Sequence, residues 1–447
     1  MAVTANQEMI EELQETIHPL AGERHQYEPL LERIGDAKYV LLGEATHGTH
    51  EFYDARAEIS KRLIQSKGFN LITWEADWPD ALRVNRYIQG RGDDRTALDA
   101  MSDFKRFPAW MWRNKDVLSF VQWLREWNER HTAGTAQVGL YGLDLYSLHT
   151  SMEAVIDYLQ KQDPEAAEAA RRRYACFEEF GDDPQSYGMT AAVDRSLSCE
   201  REVVQQLVEL QRNAGSFLQR DGRLASDELF FATQNAVVAK GAEEYYRAMY
   251  RGRPNTWNLR DRHMVETLDR LVEHLEKQGE KPKIIVSAHN SHLGDARATS
   301  MTLRGEWNVG QLLREWHNGE TSLVGFTTFR GTVTAASEWG GPAERKVVRP
   351  GMQGSYEQFF HQVEKPRFLL DLRNAMNTGA LPQELLERAI GVIYLPLTER
   401  WSHYFFARIA SQFDAVLHFD HTEAVEPLEP GSEWQRGELP ETFPSGI

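Results

Sequence analysis

The stretch Leu41-Leu-Gly-Glu-Ala-Thr-His-Gly-Thr-His50 decides the fold. An apolar run over 39–42 ends at Gly43. A polar loop then carries Glu44 and His47, and Thr49 or His50 opens a helical pattern. From 51 to 67 the residues Phe52, Ala55, Ile59, Leu63 and Ile64 fall on one stripe at helical spacing. The order is strand, loop, helix. Ligands of open α/β sheets bind beyond the carboxyl ends of the strands, so Glu44 and His47 stand where chemistry is done. Gly43 and Gly48 are expected to serve close backbone approach or positive φ.

The same grammar recurs outward from this stretch. Short apolar runs bounded by turn signals occupy 39–42, 69–74, 137–143, 283–288, 323–328, 367–372, 391–395 and 415–419. Amphipathic segments lie between them, for example 115–130 with Val117, Phe120, Val121, Leu124 and Trp127. Alternation of this kind predicts an α/β fold with a mostly parallel sheet flanked by helices. The alternation stops between 146 and 280. There 151–160, 164–178, 191–213, 227–251 and 260–278 read as helices, with turn signals at Gly181-Asp-Asp-Pro184, Asp221-Gly222 and Gly252-Arg-Pro254. The expected organisation is an α/β core from 1–145 and 281–447, with 146–280 a helical insertion forming one wall of a deep cleft. A hairpin is expected near Arg330-Gly331. The Glu-, Pro- and Gly-rich tail from about Glu423 is expected on the surface.

Four predicted strand ends carry polar groups. Beside Glu44 and His47 there are Glu75 in Ile72-Thr-Trp-Glu-Ala-Asp77 and Asp144 in Gly142-Leu-Asp144. The fourth, Ile285-Val-Ser-Ala-His-Asn-Ser-His292, supplies His289 and His292. A carboxylate beside an imidazole fixes its tautomer and raises its basicity. Glu44 and Glu75, on successive strands, are expected to meet as a carboxylate pair suited to acid–base work or metal binding. Arg56, nine residues past His47, is read as a clamp on carboxylates or a donor to a substrate oxyanion, with a solvated helix face as the alternative. Arg260-Asp261 reads either as a contribution to the site or as a helix start.

Composition narrows the function classes. Hydrophobic residues make up 41% and charged residues 26%, as in soluble globular chains. The net charge of −17 argues against nucleic acid and anionic membrane surfaces as partners. The expected partner is a small molecule, and the oligomeric state is left open. The start of the chain lacks a basic segment followed by an apolar one, so a cytoplasmic protein is expected. Cys176 and Cys199 read as small buried hydrophobes, two being too few for a disulfide framework. Gly-x-Ser-x-Gly, Walker A, dinucleotide-binding and His-Glu-x-x-His signatures are absent. Histidine and carboxylate chemistry remains, with no cofactor expected.

Taken together, Gly43-Glu-Ala-Thr-His-Gly48, Arg56, Trp74-Glu75, Gly142-Leu-Asp144, Arg260-Asp261 and Ala288-His-Asn-Ser-His292 resemble the erythromycin esterase family over nearly the whole chain. The resemblance implies a hydrolase in which a histidine acts as general base on water and opens an ester or macrolactone, without an acyl-enzyme or a required metal. Carried over by motif, the base is His47, supported by Glu44, with Glu75, Arg56 and His289 in the same site. His292 and Asp144 follow as substrate-side residues. A metallohydrolase using Glu44, His47, Glu75 and His289, or a non-catalytic binder of a bulky polyketide or glycoside, are the competing readings. The 12 Trp, 15 Tyr and 20 Phe are a surplus. Part of it, including Trp74, Trp78, Trp110, Trp112, Trp401 and Tyr404, is expected to line the cleft.

Overall fold

A computed structural model describes residues 2–22, 25–131, 137–181, 183–217, 222–250 and 255–436. Its strands, numbered in chain order, are β1 His18–Pro19, β2 Tyr39–Leu42, β3 Leu71–Asp77, β4 Gly139–Asp144, β5 Ile284–Ser287 and β6 Thr321–Ala335. They continue with β7 Glu344–Val348, β8 Arg367–Asp371, β9 Leu385–Arg388, β10 Tyr404–Ala407 and β11 Ala415–Thr422. One sheet runs β1-β8-β11-β6-β2-β5-β3-β4, with β7 on β6, while β9 and β10 pair separately. The stretch from β11 to β4 is parallel throughout. Antiparallel strands β8, β1 and β7 finish it. This is the mixed α/β fold with a mostly parallel sheet that the alternation predicted.

The two faces of the sheet carry separate cores. Val40 and Leu42 of β2 pack with Phe52, Ile59 and Leu63 of the His50–Lys67 helix. Tyr39 and Leu41, pointing the other way, pack with Val265, Leu268 and Leu271 of the Asn255–Lys277 helix. Each fully buried side chain of this size contributes about 1.5–3 kcal/mol. That is why β2 is apolar at every position: it is covered on both faces.

Between β4 and β5 the described residues are helical. The long helices are Leu148–Gln162, Pro164–Tyr174, Pro184–Val193, Glu200–Arg212, Gly222–Met249 and Asn255–Lys277. The first five contribute to a cluster of their own that includes Val155, Tyr174, Tyr187, Val203 and Ala239. The helix expected over 191–213 is two helices, separated by a short turn that Asp194 caps through Ser196 N–H. The turn signals at 252–254, and residues 182 and 221 of the other two, lie outside the described residues.

Four expectations need correction. Residues 391–395 are not a strand. Ile390 and Tyr394 are instead buried beneath β6 and β7. The hairpin at Arg330-Gly331 is absent, because β6 runs straight through and its antiparallel partner β7 begins only at Glu344. Gly331 is needed there for closeness to β11, since a Cβ would collide with the Thr422 carbonyl. The tail is not wholly superficial: Val425 is fully buried, while 437–447 lie outside the described residues. Cys176 and Cys199 are joined in a disulfide, their Cα atoms 6.0 Å apart. The fold of the helical segment brings together two residues 23 apart in sequence, which spacing alone does not reveal.

Candidate active site

Strand register builds the site. Leu42 and Trp74 both pair with Ser287, and Trp74 pairs with Gly142. Counting on from that row, Glu75 stands one residue beyond it, and Glu44, His289 and Asp144 stand two beyond. The chain leaves β2 for β3 and β4 on one side and, after β5, reaches β6 on the other. Such a reversal opens a crevice at the carboxyl edge. Here it is a cavity of about 410 Å³ whose wall includes His47, Glu75, Asp144, His289 and His292.

The loop after β2 is held from several sides. Asn290 N–H donates to the Glu44 carbonyl at 2.8 Å, and Ala45 and His47 exchange backbone bonds with Ile390, both 2.9 Å. Gly48 has φ +67°, and a Cβ on Gly43 would collide with Asn290. Both glycines are therefore required, as the sequence suggested. Within this frame His47 Nδ1 donates to Glu44 Oε1 at 2.8 Å. Arg56 Nη2 lies 2.9 Å from Glu44 Oε2, and its guanidinium lies over the Tyr53 ring at 4.5 Å. Arg56 thus clamps Glu44 from behind. Neither residue is on the cavity wall, so the oxyanion role read for Arg56 is not supported by its position.

His289 meets His47 edge-on, ring centroids 4.9 Å apart. Ser291 N–H donates to His289 Nδ1 at 3.2 Å, which assigns the ring proton to Nε2, and Nε2 donates to the Ala45 carbonyl at 3.1 Å. Burial first, and the neighbouring His47 second, hold its pKa well below the usual value. His289 is a neutral imidazole with both nitrogens committed.

The centre of the far wall is Arg260. Its Nε and Nη2 donate to Asp144 at 3.0 and 2.6 Å, and Nη2 also donates to Glu75 Oε1 at 2.7 Å. Its Nη1 lies 3.0 Å from His292 Nε2. Asp261, the next residue, accepts from His292 Nδ1 at 2.9 Å. Arg260 lies in the second turn of the Asn255–Lys277 helix, so it belongs to the site and not to a helix cap. Trp257, three residues earlier and so on the same helical face, stacks on His292 at 4.4 Å. The i, i+3 spacing could have flagged it. Asp77, two residues past Glu75 on β3, also faces the cavity, as two-residue alternation allows.

Glu44 and Glu75 do not form a pair. β5 lies between β2 and β3, so each carboxylate has its own cation. Burial works against Glu75's charge, but His292, Arg260 and His47 outweigh it and hold the carboxyl well below its ordinary 4.5. A depressed folded pKa contributes stability that is complete above the unfolded value and is lost as pH falls. Unfolding free energy is therefore expected to drop with acid below about pH 4.5, by up to about 1.4 kcal/mol per pH unit per proton. Urea denaturation of Glu75→Gln between pH 5 and 3 should show a shallower drop. An unchanged slope would assign the acid sensitivity to other carboxylates.

The aromatic wall differs from the one expected. Trp112 does line the cavity, stacked on Trp74 at 5.2 Å. Trp110 is buried against Gly48 and does not reach it. Trp78 is buried with Tyr141 and Phe231. The Tyr404 hydroxyl accepts from Met352 N–H at 3.2 Å, and Tyr404 and Trp401 border a separate depression. Phe104, Phe107, Tyr146, Trp257, Trp339 and Phe405 complete the wall instead. Among the described residues no three His, Cys, Asp or Glu side chains are grouped as a metal site. The set Glu44, His47, Glu75 and His289 is divided among the partners above.

The erythromycin esterase family profile matches residues 64–422, and the chain belongs to this family. The match begins within the His50–Lys67 helix, after the His47 loop. Erythromycin esterase type II of Escherichia coli is 22% identical over 420 residues, 90% of this chain and 93% of that protein. The putative hydrolase YbfO of Bacillus subtilis strain 168 is 22% identical over 403 residues, 86% of this chain and 83% of its own. A solved succinoglycan biosynthesis protein shares the fold with a TM-score of 0.77 at 21% identity, covering 95% of this chain and 99% of its own. A mutant erythromycin esterase in its open conformation does so at 0.66 and 17%, covering 91% and 96%. Family membership supports a hydrolase acting on a small molecule. Among the described residues no helix is long and apolar enough to cross a membrane.

Proposed function

We propose that this chain hydrolyses a carboxylic ester or lactone, with His47 as general base on water. One observation carries the assignment. Among the described residues, of the three imidazoles on the wall, His289 and His292 have both ring nitrogens engaged, while His47 has only Nδ1 engaged, to Glu44. Its Nε2 is the nitrogen open to a water. Water attacks the carbonyl carbon as its proton passes to Nε2. The C–O bond to the leaving group breaks, and the same proton goes to the departing alkoxide. Glu44, held by Arg56, stabilises the transient imidazolium. The oxyanion draws on His289 Nε2–H, released from the Ala45 carbonyl.

The segment 146–280 acts in this reading as a cap whose Tyr146, Trp257 and Arg260 form one wall. A cavity of about 410 Å³ with aromatic sides suits a bulky, mostly apolar substrate. Macrolides are the leading lactone class on family grounds. The test is incubation with a panel of macrolides and simple aryl esters, read by mass spectrometry, with and without chelator. Gain of one water by a macrolide identifies a lactonase, and turnover of aryl esters alone a general esterase. No turnover of any ester overturns the proposal, and loss of activity with chelator overturns its metal-free form.

A further inference from the structure

The depression bordered by Trp401 and Tyr404 shares a rim with the cavity and has the opposite charge character. Its volume is about 310 Å³, and Arg304, Ala389, Ser402 and Phe405 line both hollows. Ala389 directly precedes Ile390, which exchanges backbone bonds with Ala45 and His47. The common rim therefore lies next to the segment that holds the His47 loop. The cavity wall carries Glu75, Asp77 and Asp144. Among the described residues lining the depression there is no Asp or Glu, in a chain whose net charge is −17. Its charged groups are Arg304 and Arg400.

Arg400 lies in the Glu399–Ser402 helical turn and is half-buried. Its guanidinium lies over the Trp401 ring at 5.5 Å and the Phe406 ring at 5.6 Å. It has no ion-pair or hydrogen-bond partner among the described residues. The adjacent acid, Glu399, is turned inward to Arg388 Nε at 3.1 Å. Arg304 engages Glu306 through its Nε at 3.3 Å. His403 adds no charge here: its Nε2 accepts from Leu395 N–H at 3.0 Å, and burial pushes its pKa down to about 4. Trp401 is 86% exposed, so its ring serves Arg400 and not the core. Two ring contacts hold the guanidinium and shield it from water in part, while its N–H groups stay uncommitted. A planar fork held in this way matches a carboxylate through two parallel hydrogen bonds.

We propose that this depression binds a carboxylate at the far end of the substrate, so that the His47 site acts on an ester whose chain ends in an anionic group. The proposal rests on the hydrolase reading for its ester and on Arg400 for its charge. Arg400 donates to the carboxylate, Arg304 adds a second positive charge at the rim, and the intervening chain crosses Phe405 into the cavity.

Two matched series test it. Phenyl monoesters of the dicarboxylic acids from adipic to sebacic place the carboxylate on the acyl side, and acetates of the corresponding ω-hydroxy acids place it on the alcohol side. Each is compared with the ω-carboxamide of the same length, which keeps shape and loses charge. At pH 7, with the uncatalysed rate subtracted, one length in one series is expected to show a kcat/KM at least about fivefold higher for the carboxylate. In Arg400→Gln that ratio should fall toward one. Equal rates at every length in both series, or a preference that survives Arg400→Gln, overturn the proposal. Calorimetric titration with ω-phenoxyalkanoates and their amides, which carry no ester, separates this from the hydrolase reading. If no ester is turned over but a phenoxyalkanoate binds more tightly than its amide in an Arg400-dependent way, the carboxylate site stands and the hydrolase reading falls. Equal binding of acid and amide at every length overturns the carboxylate site.

Discussion

His47→Ala is expected to lower kcat by about 10²–10⁴-fold, the range that general-base assistance supplies, with little change in thermal stability. The argument is one of elimination among imidazoles. His289 is locked between Ser291 N–H and the Ala45 carbonyl, and His292 between Asp261 and Arg260. Removing His47 leaves Glu44 still paired with Arg56, so no buried charge is stranded and the loop keeps its backbone bonds to Ile390 and Asn290. Glu44→Gln should cost less than His47→Ala, because the amide still accepts from Nδ1 but no longer stabilises the imidazolium. Steady-state kinetics on whichever ester the panel identifies, alongside thermal melts, make the comparison. A His47→Ala enzyme that retains wild-type turnover removes His47 from the mechanism.

Much of this site could be read from the chain because its parts sit at strand ends, where a short apolar run stops at a polar group. Glu44, Glu75, Asp144 and His289 were all found that way, and register places them within one residue of a common row. Strand order was not legible. Nothing local tells β3 that β5 will insert beside it, and that insertion turns an expected carboxylate pair into two separately clamped acids. Depth was not legible either. Trp110 and Trp112 are two residues apart in one loop, yet only Trp112 reaches the cavity, because the Trp110 ring packs against Gly48. The Arg330-Gly331 signal was sound chemistry with the wrong cause: the glycine serves contact with β11, not a turn.

The sequence also undervalued Arg260, and the second large effect is expected there. Arg260→Met should destabilise the protein by about 3–5 kcal/mol, the usual cost of breaking a buried ion pair from one side. The guanidinium serves Asp144 through two nitrogens and Glu75 through one of them. Asp144 and Glu75 are 3% and 6% exposed, so neither regains water when the cation goes. Burial opposes the charge of both acids, and Arg260 is the leading opposite influence on Asp144 and among the leading ones on Glu75. Lys in its place should restore only part of the loss, since one ammonium does not span the two carboxylates as the planar fork does. The sharper test is a double substitution. Asp144→Asn alone should destabilise, leaving Arg260 with one acid fewer, but added to Arg260→Met it should recover stability by removing one stranded charge. Urea unfolding of the four proteins reads the coupling directly. If the two losses simply add, the Arg260–Asp144 contact contributes nothing to holding this wall.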